Sequence, residues 1–235
     1  MTCTPYADWQ WAHSRHHASA ADLDKRDGYG SVWTMTVKEY CAAPFWTRLR
    51  YRLYRNPLVL FIPGPLIMFL LINRFAKKGA GRPQRRSVLI TNIAVFVMFA
   101  VAVWTLGLSD TVRIGLPIIF FAAAIGVWLF YIQHQFEGVR WFRHNEWTVM
   151  KSSLYGCSYY KLPNVLHWFT GNIGLHHIHH TRTAIPNYNL QQCFNETPPF
   201  QEINVLTIRR SLKSLWLNLW DEDQQKLVSF RSIRQ

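Results

Sequence analysis

The sequence is poor in cysteine, poor in acidic residues and, over two long stretches, without any charge at all. Its four cysteines, Cys3, Cys41, Cys157 and Cys193, are scattered and show no CxxC spacing. That pattern argues against a disulfide framework or a zinc ribbon and suits reduced thiols. The opening MTCTPYADWQWAH has no apolar core and does not read as a signal peptide. Asp and Glu number 13 against 26 Lys and Arg, a formal charge of +13. So basic a chain suggests nucleic acid, yet no basic stripe is interleaved with aromatics on a polar domain and no nucleic-acid motif occurs. The positive charge sits beside apolar segments, where cytoplasmic loops and anionic headgroups account for it.

What is abundant is apolar and aromatic surface, unevenly spread. The 235 residues suffice for one domain, and 15% are aromatic. Residues 1–56 and 134–235 are mixed and polar, whereas the stretch between them is strongly apolar and broken by one basic loop. A single soluble core would distribute its apolar residues more evenly, so the expected class is an integral membrane protein. Ser87–Leu108 and Ile114–Gln133 are both uncharged. Each reaches the roughly 20 residues a transmembrane helix requires. Only Ser109–Arg113 separates them, which predicts a tight transmembrane hairpin, 87–108 and 114–133.

Residues 57–73 are harder to span with, because Pro63-Gly64-Pro65 lies inside them and proline breaks a straight helix. Basic residues crowd both flanks: Arg55 and its predecessors before, and Arg74, Lys77, Lys78, Arg82, Arg85 and Arg86 after. With both flanks cytoplasmic, 57–73 is re-entrant or interfacial. A third true span is the alternative. It would leave residues 1–56 and 134–235 on opposite sides of the membrane. At the other end of the chain, Ile208–Trp220 alternates basic and apolar positions and reads as a surface helix at the membrane interface.

Ten histidines carry the chemistry. His13, His16 and His17 form an HxxHH motif, and His176, His179 and His180 form a second. Positions i, i+3 and i+4 share a helix face, so each motif can aim imidazoles into one pocket. Neutral imidazole suits iron, zinc, copper and nickel. One such motif is weak evidence. Two, in polar segments flanking a two-span hairpin, are stronger, because an even number of crossings returns both to one side. His134 ends the second span. An interfacial cap is the bland reading and a ligand the sharper one. Seven imidazoles exceed a closed four-ligand site and suggest two metals. His177 is about 100° around the helix from His176 and points elsewhere. His144 and His167 read as packed or supporting residues.

Long stretches, among them residues 9–40, 51–65, 130–141 and 159–190, resemble the integral-membrane fatty acid desaturase family, particularly bacterial enzymes similar to Δ12 and ω3 acyl-lipid desaturases. The resemblance implies a helical membrane protein whose cytoplasmic cap, 1–56 and 134–235, holds a histidine-box di-iron site. It makes His13, His16 and His17 the second box, His176, His179 and His180 the third, and His134 a further ligand. Glu137, Asn172 and His177 are possible outer neighbours that orient ligands or hold a metal-bound water. The family's first box, of HxxxH type, has no separate counterpart here, so the expectation is one desaturase domain over 1–235 that is incomplete at its N-terminus.

By the same resemblance the chain is a multi-pass protein of a bacterial cytoplasmic membrane that uses two Fe and O2 to place a cis double bond in a fatty acyl lipid. Its electrons would come from a ferredoxin or a cytochrome b5-like donor, for which a basic face is attractive. An unactivated C–H bond is neither acidic nor polarised, so redox metal and dioxygen, not side-chain acid or base, must do the hard step. The alternatives are a histidine-box hydroxylase of alkane, carotenoid or sterol type, an inactive truncated desaturase, and a metal-binding transporter. The last is disfavoured because the two predicted spans hold neither charge nor histidine.

Overall fold

The structure is a computed structural model, and it describes residues 3–26 and 31–233. The chain divides into two units, Met1–Arg15 with Leu53–Leu129 and His16–Arg52 with Phe130–Gln235. In order, the helices are α1 (Tyr6–Ser19), α2 (Val37–Ala42), α3 (Phe45–Tyr54), α4 (Pro57–Phe61), α5 (Pro63–Leu66), α6 (Arg82–His134), α7 (Val149–Gly156), α8 (Asn164–Phe169), α9 (His176–Thr181), α10 (Leu190–Glu196) and α11 (Ile208–Ser211). The strands are β1 (Met35–Thr36), β2 (Tyr159–Lys161), β3 (Val205–Thr207), β4 (Leu219–Asp221) and β5 (Lys226–Val228). The unit boundary cuts α1 between Arg15 and His16 and α6 between Leu129 and Phe130.

The first unit is dominated by α6, 53 residues long. A continuous helix of that length would measure about 80 Å, far more than a bilayer's hydrocarbon core of about 30 Å. Gly107, at φ 78 and ψ 157, breaks it into two apolar segments. Glycine alone takes that backbone conformation without steric cost. The spacing of the uncharged runs places the break within Ser109–Arg113, but those residues are helical. Their polar side chains serve the helix: Thr111 Oγ1 donates to the Gly107 carbonyl at 2.8 Å, and Asp110 pairs with Arg113 at 3.6 Å. Apolar side chains point outward all round, and Trp104 is 86% exposed. A helix that is apolar on every side and unburied is suited to lipid.

Residues 57–74 are helical but broken, as the proline pair predicts. Asn56 caps α4 by accepting from Leu58 N at 2.9 Å, and Pro57 occupies the first turn, where a missing amide proton costs nothing. The helix stops at Ile62 because Pro63 follows. It resumes as α5, a π turn at Ile67–Leu71 and a 3-10 turn at Ile72–Arg74. Both this segment and α6 are long and apolar enough to cross a membrane. Within the same unit, buried Asp8 pairs with Lys77, and Ala7 N donates to Ser87 Oγ at 3.1 Å.

The all-α fold class read from the sequence holds as a mostly helical chain, and the second unit adds a few short strands. It contains a three-stranded sheet in the order β1-β4-β5 and a parallel pair, β2 with β3. Met35, Tyr40, Tyr51, Leu219 and Val228 form one core. Tyr51 Oη ties it together, accepting from Met35 N at 3.0 Å and donating to the Asn218 carbonyl. Tyr159, Leu175, Ile178, Leu190 and Phe200 form a second core under α9. The helix expected over 208–220 is shorter than its pattern suggests. It turns 3-10 at Leu212–Trp216 and gives way to β4, where Leu219 and Trp220 are fully buried. Pairing with β1 and β5 overrides the helical pattern there.

Candidate metal centre

Three remote segments of the second unit bring imidazoles together. His16 lies near the end of α1, His134 is the last residue of α6, and His176 and His180 sit on α9. Their ligand atoms all lie within 4.8 Å of one another and all four residues are buried. His134 Nε2 is 2.9 Å from His16 Nε2 and 3.0 Å from His176 Nε2. Two nitrogens bound at right angles to one ion at about 2.1 Å are themselves about 3.0 Å apart, so the spacing fits chelation. A second contact joins the same helices: His17 Nε2 and His179 Nε2 are 3.1 Å apart. His13 lies one turn upstream on α1, in the first unit, half-buried, with its ring stacked on Trp9 at 4.7 Å.

The surroundings set ring orientation. His134 Nδ1 lies 3.3 Å from the Gly156 carbonyl, which can only accept, so the proton is on Nδ1 and the Nε2 lone pair faces the cluster. His16 Nδ1 lies 3.3 Å from Ser31 Oγ. Neither partner carries a recognisable sequence signal: one is a backbone carbonyl and the other a lone serine. Cys157 Sγ stands 3.9 Å from His134 Nδ1, and burial pushes its thiol well above the ordinary value.

The donors fit a metal. His180 Nε2 is buried without a hydrogen-bond partner. Burial, and then the neighbouring histidines, hold the His176 and His180 rings well below the usual imidazole pKa, so they are neutral and their lone pairs are available. An all-imidazole set is compatible with several first-row metals.

Other residues singled out in the sequence have different surroundings. Glu137 is half-exposed and its carboxylate lies 3.4 Å from Lys213 Nζ and 3.7 Å from Arg210 Nη2. Asn172 takes a positive φ of 56°, and its side-chain amide donates to the Asn187 carbonyl at 3.0 Å. His177 is fully buried against the rings of Tyr159, Phe194 and Phe200, and burial lowers its pKa to about 4. His167 accepts from Leu162 N at 3.2 Å, and His144 Nδ1 lies 2.8 Å from Asp22. Replacing Glu137 with Gln should leave metal content unchanged and shift stability by less than about 1 kcal/mol, since the pair it breaks is exposed. Metal analysis with thermal unfolding checks both.

Burial also fixes a pH dependence. His176, His177 and His180 have lowered folded-state pKa values, so unfolding lets them bind protons more readily. Their contribution is complete above about pH 6.5 and is lost as the pH falls through the folded values, toward about 4 for His177. The Tm of chelator-treated protein in detergent should therefore decline steadily below about pH 6.5.

A family model described as fatty acid desaturase matches residues 1–211. The chain belongs to the fatty acid desaturase family. It is 44% identical over 234 residues to a Bacillus subtilis protein named fatty acid desaturase, covering 100% of this chain and 66% of that one. It is 25% identical over 200 residues to an sn-1 oleoyl-lipid 12-desaturase of Picosynechococcus, covering 81% of this chain and 54% of that one. A Synechocystis sn-1 acyl-lipid omega-3 desaturase (ferredoxin) is 23% identical over 209 residues, covering 83% of this chain and 54% of its own length. The chain thus spans about two thirds of the Bacillus relative and about half of the cyanobacterial ones.

Proposed function

We propose that the chain acts as a membrane fatty acyl-lipid desaturase, with His13, His16, His17, His134, His176, His179 and His180 holding two irons. The observation that carries this reading is the buried cluster of His16, His134, His176 and His180, gathered from residues 118 and 42 positions apart in the chain. Iron with O2 supplies, when bound, the oxidising power that abstraction from an unactivated methylene demands. The chain's own residues do the positioning. The Gly156 carbonyl holds the His134 tautomer, and burial keeps the His176 and His180 imidazoles neutral.

Residues 87–108 and 114–133 are read as membrane-crossing segments, with 57–73 re-entrant or interfacial and the polar segments cytoplasmic. The support is the outward-facing apolar surface of the two uncharged runs within α6 and the basic flanks on both sides of 57–73. The acyl-lipid substrate and a ferredoxin-like donor follow the names of the cyanobacterial relatives. Expression in a host with simple fatty acids, followed by lipid mass spectrometry, tests the activity. Loss of two hydrogens at a cis bond supports it. Gain of one oxygen would make the chain a hydroxylase, and unchanged lipids in metal-loaded membranes would remove the enzymatic reading.

A further inference from the structure

Two surface elements of the second unit are turned inside out relative to a water-soluble fold. In Ile208–Trp216 the fully buried side chains are Ser211 and Ser214, whereas Ile208, Leu212 and Trp216 face outward, Trp216 being 58% exposed. Ser211 Oγ donates to the Ile208 carbonyl, the Ser214 carbonyl accepts from Tyr131 Oη at 2.9 Å, and Ser214 Oγ is buried without a partner, so the inward face carries small polar side chains in place of apolar ones. In α8 the inward residue is His167, while Val165, Trp168 and Phe169 are exposed, the last two at 75% and 72%. In water this polarity leaves the hydrophobic effect unused on both elements.

Topology puts the two elements at one place. Strands β2 and β3 are parallel and in register, with Lys161 opposite Thr207 at their C-terminal ends. The chain leaves β2 into α8 within three residues and leaves β3 directly into α11. Both inverted elements therefore depart from the same end of one ribbon. The charge around them has a single dominant sign. No Asp or Glu occurs between Glu146 and Glu196, a stretch that carries Lys151, Lys161 and Arg182. Arg209, Arg210 and Lys213 interleave with the apolar side chains of the second element, and Glu137 is the acid beside them. Exposed aromatics with a basic rim are what an anionic bilayer surface complements.

We propose that the face formed by α8 and Ile208–Trp216 inserts into the headgroup layer of an anionic lipid bilayer. This surface presupposes the membrane location proposed above and adds a second, peripheral contact to it. It also bears on the metal centre. Asn172 N donates to the His167 carbonyl at 2.8 Å, Tyr160 N to Gly174 at 2.8 Å and Leu175 N to Asn172 at 3.0 Å. That bonded turn runs from α8 straight into His176, so seating Trp168 and Phe169 in lipid fixes how far from the headgroups the third box lies.

The test uses the full chain in vesicles with benzoylphenylalanine in place of Phe169, in place of Trp216, or in place of exposed Asp223 as the reference. After illumination, adducts are identified by mass spectrometry. Phospholipid adducts at 169 and 216, about tenfold above 223 and greater in phosphatidylglycerol than in phosphatidylcholine vesicles, support the proposal. Adducts at neither position, adducts to protein, or equal yields from the two lipids overturn it. Having two sites guards against one variant misfolding. Lipid adducts without desaturase activity would leave this surface standing while removing the enzymatic reading, and activity without lipid adducts would do the reverse.

Discussion

Replacing His180 with Ala should strip metal from the site and abolish desaturation, with activity falling at least about 100-fold. His180 is buried, its Nε2 has no hydrogen-bond partner, and its ring packs 4.5 Å from that of His176 and 4.9 Å from that of His134. Alanine removes one donor and opens a space in which the other three rings lose their packing. Folding should survive, because the ring belongs to neither apolar core of the second unit. Iron measured per chain, alongside circular dichroism, separates loss of a donor from loss of fold. A variant that retains full iron and activity would remove His180 from the donor set.

Gly174→Ala should do comparable damage by another route. A Cβ at this position would stand 2.4 Å from the Tyr160 carbonyl oxygen and 3.0 Å from His167 Cε1. The nearer obstacle is backbone, held by the bond from Tyr160 N to Gly174 O, so it cannot swing aside. The turn between α8 and α9 must move, and His176 with it. Overpacking of this kind costs about 3 kcal/mol, visible as a lower Tm, and metal affinity should drop in the same variant. A serine at Gly115, which has open space around its Cβ position, serves as the control and should leave both quantities nearly unchanged.

How much of the molecule is readable from its sequence varies with the physics involved. The two HxxHH motifs are legible because the i, i+3, i+4 spacing puts imidazoles on one helix face, and α1 and α9 are helical there. His134 is legible from its place at the end of an uncharged run. The Gly156 carbonyl and Ser31 are not, since backbone acceptors and lone hydroxyls leave no pattern. The helix break falls at Gly107 and not within Ser109–Arg113 because backbone freedom, not side-chain polarity, decides where a helix breaks. The strands escape notice for a different reason. Segments of two or three residues are too short to show alternation, and β1 and β4 exist only through partners far along the chain.

The same remoteness has a consequence for biogenesis. His16 and His134 are 118 residues apart, and His134 and His176 a further 42, while β2 must await β3 before its ribbon closes around the third box. Contacts so distant in sequence form late, after the entropy of closing long loops has been overcome. During synthesis most of the chain therefore leaves the ribosome before the four-histidine cluster can assemble. A polypeptide that stops short of His176 lacks two of the four clustered imidazoles.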